Sequence, residues 1–261
     1  MNVNDQKTQG IINTVNNIAE WIKNTVETSG AQGCVVGVSG GVDSALVLGL
    51  CYKVFPKTTI PVIMPCYSSQ EDLDHADKVC KTFKLKPVVF DLSDTYSRLV
   101  EYAQDKGIFS KKNQQIINLT KGNLKARLRM CTLYMIAQLN NSLVIGTDNA
   151  AEYLTGYFTK YGDGGVDLLP IRILLKRQVR EMAEFIGVPR EVIAKPPSAG
   201  LWPDQTDEQE MQLRYDDIDA FIEGKAGLSE DIKNRIETMA RVSQHKRRPP
   251  SAPPKELNEM L

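Results

Sequence analysis

Apolar residues recur at Ile11, Val15, Ile18, Ile22 and Val26, a spacing that predicts a helix ending near Gly30. Beyond it, short apolar runs alternate with longer stretches of helical periodicity. The runs are Cys34–Val38, Ile60–Met64, Val88–Phe90 and Leu143–Ile145. The helical stretches lie around Ser44–Val54, Gln70–Phe83 and Ser93–Gln104, followed by a long one within Gln114–Leu139. Unbroken apolar runs suit strands covered on both faces, so the alternation predicts an α/β fold: a parallel sheet in a three-layer α/β/α arrangement. Ligands of such sheets bind at the carboxyl ends of the strands. The polar turns Ser39–Ser44, Pro65–Gln70 and Gly146–Glu152 each follow a strand, and all three are expected to open on that edge.

Past Glu152 the pattern loosens into a glycine-rich, charged loop, Tyr157–Asp167. A helix over Lys176–Ile186 precedes a proline-rich loop, Lys195–Thr206, and further helices are predicted over Glu208–Glu223 and Ser229–Ala240. No repeat and no linker divides the chain, so residues 1–261 are expected to form a single domain. The long segment Ile116–Leu139 holds more apolar side chains than a surface helix needs, including Ile116, Leu128, Met135 and Leu139. A helix buried between subunits and a central helix within one subunit both fit that pattern.

Composition narrows the partners. Lys plus Arg and Asp plus Glu both total 32, so no net field draws the chain to nucleic acid or to a membrane surface. No apolar run approaches about 18 residues, which argues against a membrane span. The five cysteines are irregularly spaced and form no C-x-x-C pair, as expected of reduced thiols in a cytoplasmic protein. Two histidines cannot build a multi-histidine metal centre.

The chemistry concentrates in V-S-G-G-V-D-S-A, Val38–Ala45. Glycines at 40 and 41 let backbone approach a bulky anion, and the helix starting near Ser44 offers free N–H groups and a favourable dipole. Ser39 and Ser44 add hydroxyl donors. Asp43 would repel phosphates unless a divalent cation lay between them, and magnesium binds through carboxylates together with phosphate oxygens. The plainer alternative is a tight turn with Asp43 as a helix cap. No G-K-S/T follows, so the turn is not a Walker A loop.

S-G-G-V-D-S resembles the pyrophosphate loop of the N-type ATP pyrophosphatases, whose fold is Rossmann-like, of the adenine nucleotide alpha hydrolase type. Downstream come K-G-N-L-K-A-R-L-R-M (Lys121–Met130), G-T-D-N-A-A-E (Gly146–Glu152), F-T-K-Y-G-D-G-G-V-D-L-L-P (Phe158–Pro170), L-K-R-Q-V-R (Leu175–Arg180), K-P-P-S-A (Lys195–Ala199) and a terminal H-K-R. In that order they are similar to the ammonia-dependent NAD synthetases over nearly the whole chain. The resemblance implies a ligase forming a C–N bond. Its carboxylate substrate, deamido-NAD (nicotinic acid adenine dinucleotide), attacks the α-phosphate of ATP, and ammonia then displaces AMP from the acyl adenylate.

By the same resemblance, Asp43 and Glu152 hold Mg2+. Ser39, Gly40, Gly41, Asp43, Ser44, Thr147, Lys176 and Ser198 bind ATP; Ser68 and Gln70, on the polar turn after the second strand, are weaker candidates for its adenosine from their position alone. Asn123, Tyr134, Tyr157, Phe158, Lys160, Asp163, Asp167, Glu210, His245 and Lys246 bind deamido-NAD. Asp163 and Lys176 are the catalytic candidates, with Asp163 and Asp167 steering or deprotonating ammonium. A lysine at the start of a helix opposes the dipole unless an anion sits nearby. Arg127 and Arg129 point about 200° apart on a helix, so at most one faces the substrate. Asn149 stands where relatives often have histidine and Gln212 where they often have glycine; both read as tolerable surface changes, and His75 reads as a surface residue. The loops 158–165 and 196–206 are expected to close over substrate. With the whole length matched to the synthetase pattern, no glutaminase domain is expected and free ammonia is the nitrogen donor. The resemblance also implies a homodimer. Two rival readings stay open: another ATP pyrophosphatase ligase with the same turn, and a non-catalytic adenine-nucleotide-binding protein.

Overall fold

The computed structural model describes residues 3–198, 200 and 206–254. Helix α1 (Val3–Thr28) leads into β1 (Gly33–Gly37), α2 (Val42–Val54), β2 (Thr59–Ile63), α3 (Gln70–Thr82), β3 (Val88–Val89), α4 (Ser93–Asp105), α5 (Gln114–Leu139) and β4 (Ser142–Ile145). The four strands pair in parallel in the order β3-β2-β1-β4. Successive strands step outward from β1 to β3, and the chain then returns to place β4 on the other side of β1. This reversal opens a crevice between the carboxyl ends of β1 and β4, where α/β sheets bind ligands.

Alternate residues of each central strand face opposite layers. Cys34 and Val36 of β1 pack with α1, α2 and α3 on one side, whereas Val35 packs with Ile136 and Ala137 of α5 on the other. Each fully buried aliphatic side chain contributes about 1.5–3 kcal/mol of transfer free energy. Helix α2 is buried continuously from Ser44 to Cys51, because α1 and a later helix, α7 (Lys176–Phe185), cover the side turned away from the sheet. That enclosure fixes the position of the turn preceding it.

Helix α5 matches the predicted span, yet several of its apolar residues face outward: Ile116, Leu119, Met135 and Leu139 are exposed, while Lys125 and Thr132 are buried. The Lys125 ammonium lies over the rings of Tyr67 and Tyr96, at 6.0 and 5.4 Å, which offsets part of its desolvation. Helix α4 buries no residue, and its Leu99 and Tyr102 are exposed.

The C-terminal part adds α6 (Ala150–Thr155), α7 (Lys176–Phe185), α8 (Arg190–Ala194), α9 (Asp207–Met211), α10 (Tyr215–Ile222) and α11 (Glu230–Val242). Ala151, Met211, Leu213, Tyr215, Ile218 and Ile236 form a separate small core here. The single helix expected over Glu208–Glu223 is two helices. Gln212 ends α9 in the left-handed conformation (φ 53°), a C-terminal position that favours glycine. Its substitution is exposed, but it carries a backbone cost that the surface reading overlooked.

Candidate active site

The turn after β1 is wrapped by its own hydroxyls. Ser44 Oγ donates to Gly41 O at 3.0 Å and lies 3.2 Å from Ser39 Oγ, and Gly41 N–H donates to Ser39 Oγ at 3.3 Å. Gly40 has φ 84°, and a Cβ there would stand 2.4 Å from Asp72 O, so only glycine fits between this turn and α3. His75 also packs against Gly40. It is half-buried and its Nδ1 has no partner among the described residues, which corrects its reading as a surface histidine.

Asp43 in the first turn of α2 and Glu152 in the first turn of α6 meet across the crevice. Asn149 joins them: its side-chain Nδ2 donates to Asp43 Oδ1 at 3.0 Å, its backbone N–H donates to Glu152 Oε2 at 3.1 Å, and its Oδ1 caps α6 by accepting from the N–H groups of Ala151 and Glu152. Asn149 is fully buried, so it is a positioning group for both carboxylates and not the surface change expected. A polar residue that reaches across 106 positions leaves no periodic trace in a sequence.

Lys176 answers the dipole question raised by its position. Asp219 of α10 caps α7, accepting from the N–H groups of Lys176 and Arg177, and the Lys176 side chain runs inward to two anions. Its Nζ donates to Asp43 Oδ2 at 2.6 Å and to Glu152 Oε1 at 3.3 Å. Burial opposes its charge, but Asp43 and Glu152 outweigh that and hold its pKa above the ordinary lysine value. Burial pushes the Glu152 carboxyl up to about 7, against the pull of Lys176. The Tyr215 hydroxyl lies 2.9 Å from both Glu152 Oε1 and Asp207 Oδ2, and its single proton serves one of them at a time. Two carboxylates converging on one cation make a donor set suited to Mg2+. Among the described residues no third carboxylate, histidine or cysteine completes a cage, so ligand and water oxygens would supply the remaining positions. The Lys176 ammonium supplies the positive charge between the two carboxylates.

These groups border one cavity of about 560 Å3. Of the candidates for ATP and metal, Ser39, Gly41, Asp43, Ser44, Thr147, Glu152, Lys176 and Ser198 line it, and Gly40 shapes the turn from behind. Ser68 lines it too, whereas Gln70 is exposed and donates to Asp74. Of the candidates for the dinucleotide, Asn123, Tyr157, Phe158, Asp163, Glu210 and Lys246 line it. Lys246 Nζ donates to the carbonyls of Gly156 and Phe158, at 2.8 and 2.7 Å, which ties the tail to the loop beyond α6. Asp163 is exposed to the cavity and accepts from Thr159 N–H at 3.0 Å, while desolvation by the cavity walls raises its carboxyl above the usual range.

The other candidates lie apart. Tyr134 donates to Asp167 Oδ1 at 3.0 Å while Asp167 Oδ2 accepts from Val144 N–H at 2.8 Å, so this pair braces β4. Lys160 lies over the Tyr161 ring, and its carbonyl accepts from Arg127. His245 borders a second, more open cavity of about 390 Å3, shared with Tyr157, Glu210 and Lys246. The two arginines divide as their spacing implies: Arg129 lines the main cavity, donating to Met64 O and Ser68 Oγ, and Arg127 is exposed. Of the loop 196–206, residues 199 and 201–205 lie outside the described residues.

Asp148 was not singled out in the sequence. It is buried at the cavity wall, with an Oδ2 that has no hydrogen-bond partner among the described residues. Burial and then the neighbouring Asp163, Glu152 and Asp43 hold its carboxyl well above the usual range.

Residues 14–250 match the family model described as NAD synthase. An NH3-dependent NAD(+) synthetase of Alkaliphilus oremlandii is 45% identical over 250 residues, which cover 94% of this chain and 98% of that one. The solved structure of an NMN synthetase from Francisella tularensis superposes with a TM-score of 0.86 at 36% identity, covering 93% of this chain and 98% of that one. That of an NH3-dependent NAD synthetase from Campylobacter jejuni, in complex with nitrate, gives 0.76 at 25% identity and covers 94% and 99%.

Proposed function

The chain belongs to the NAD synthase family, and we propose that it is a ligase that amidates the pyridine carboxylate of deamido-NAD with ammonia, using ATP, to form NAD. One observation carries the site assignment: Asp43 and Glu152, from turns after two adjacent strands, converge on a single cationic point beside the phosphate turn.

A carboxylate resists ammonia because its leaving group would be oxide. Attack of a carboxylate oxygen on the α-phosphorus of ATP makes an acyl adenylate and releases pyrophosphate. Ammonia then adds to the activated carbonyl, AMP leaves, and one proton is lost. Ser39, Gly41 and Ser44 hold the β- and γ-phosphates, Thr147 contacts the nucleoside, and Lys176 shifts from the carboxylates toward phosphate. Mg2+ held by Asp43 and Glu152 would offset phosphate charge. Asp163, open to the cavity, takes up the ammonium proton. The protein thus works by positioning and charge stabilisation. The exposed apolar residues of α4 and α5 support a homodimer through that face, and a species of only about 29.1 kDa in sedimentation at micromolar concentration would contradict it.

The test follows ATP with deamido-NAD and ammonium, omitting each in turn, with nicotinate mononucleotide as a parallel substrate because one structural relative is named for NMN. NAD, AMP and pyrophosphate are expected only when all substrates are present. ADP as product, or AMP formed without a pyridine carboxylate, would overturn the proposal. Preference for the mononucleotide would move the substrate assignment while leaving the chemistry intact.

A further inference from the structure

Four cationic side chains line the main cavity among the described residues: Arg129, Lys176, Lys195 and Lys246. Three have partners away from the α3 side of the phosphate turn. Lys176 bridges Asp43 and Glu152, Lys246 donates to two carbonyls, and Arg129 binds the turn after β2. Lys195 is placed differently. Its ammonium pairs with Asp72 Oδ1, and the two side chains are 17% and 27% exposed. The backbone carbonyl of Asp72 is the atom against which Gly40 packs, so this ion pair borders the phosphate turn from the α3 side. Ser198 follows Lys195 within the same loop and also lines the cavity.

We propose that Lys195 is a further nucleotide-binding residue, which leaves Asp72 for the β- and γ-phosphates and stabilises the departing pyrophosphate. This rests on the ligase reading above. In the first step the α-phosphorus gains a bond to a carboxylate oxygen and loses its bond to the oxygen bridging to the β-phosphorus. That oxygen takes the electron pair, so negative charge grows on the outer two phosphates, beside Ser39, Gly41 and Lys195. A cation that engages there as charge develops lowers the barrier. Asp72 loses little when Lys195 moves. Its Oδ2 accepts from Ser69 Oγ at 2.7 Å, and it lies in the first turn of α3, where the helix dipole favours a carboxylate.

Binding of magnesium pyrophosphate to the full chain, measured by calorimetry for the parent, Lys195→Met, Lys195→Arg and Asp72→Asn, tests this beside turnover. Lys195→Met is expected to weaken pyrophosphate roughly tenfold, and Lys195→Arg to restore most of that loss. Asp72→Asn removes the competing anion and is expected to tighten pyrophosphate about threefold, opposite in sign. Were the ion pair only a tether, both Lys195→Met and Asp72→Asn would weaken binding and lower the thermal midpoint together; that result overturns the inference. Unchanged pyrophosphate affinity in Lys195→Met, with a parent that releases pyrophosphate from ATP, overturns it as well and leaves the ligase reading standing. A parent that releases none removes the reaction itself, and this inference with it.

Discussion

Replacing Lys176 by methionine removes the positive charge between Asp43 and Glu152 while keeping most of the side-chain volume. Lys176 is 2% exposed, and its Nζ stands 2.6 Å from one carboxylate and 3.3 Å from the other. Loss of one partner from a buried ion pair costs about 3–5 kcal/mol, because the remaining charge has no compensation. At about 2–4 °C of midpoint per kcal/mol for a chain of this size, the variant should melt about 6–20 °C lower. The loss depends on pH. Glu152 titrates near 7 in the folded chain against an ordinary value of 4.5, so the folded state holds a proton that the unfolded state lacks across that window. Its contribution is therefore fully present below the lower value and declines as pH rises to about 7. Without Lys176 the folded-state value climbs further, the decline extends upward, and the variant suffers most in alkaline buffer. Mg2+ supplied without nucleotide replaces the missing charge and should recover much of the stability. The assay is thermal unfolding of parent and variant at about pH 6 and about pH 8.5, each with and without Mg2+. A midpoint within about 2 °C of the parent, or a deficit equal at both pH values, would refute the reasoning.

Other consequences follow from the same geometry. Asn149→Ala removes the α6 cap and a hydrogen bond to a charged group, so denaturant unfolding should show a loss of about 2–4 kcal/mol and Mg2+ titration a weaker half-saturation. Gln212→Gly relieves a left-handed backbone and should stabilise by about 1 kcal/mol; a lower midpoint would mean that the Gln212 side chain holds the α9–α10 corner. A protonated Glu152 is no metal ligand, so the Mg2+ concentration for half-maximal turnover should rise as pH falls below about 7, while saturating Mg2+ restores the rate. A half-saturation that is flat across that range would remove Glu152 from the metal.

Much of the fold was legible because its signals are local. The periodicity of 114–139 gave α5 at its observed bounds, and the unbroken apolar runs gave four strands within a residue or so. The phosphate turn was legible for a similar reason, since two glycines and two hydroxyls must be contiguous to surround an anion. Groups that act across the sheet were less visible. Asn149 reaches Asp43, Asp72 reaches Lys195, and Tyr215 spans Glu152 and Asp207, and none of these pairs has a spacing that distinguishes it from exposed polar residues. The break between α9 and α10 was missed because Met211, Leu213, Tyr215 and Ile218 are all buried and continue the apolar pattern through the turn. Helix α5 misled in the other direction: its buried face includes Lys125 and Thr132, which an apolar pattern does not count.

The cavity draws its two halves from different parts of the architecture. Ser39 and Ser44 sit where β1 meets the enclosed helix α2 and Thr147 on the turn after the adjacent strand β4, whereas Tyr157, Phe158, Glu210 and Lys246 come from a loop, a short helix and the tail around the small second core. Under the proposed function, the portion that would select the acid to be amidated can change without disturbing the portion that would activate it.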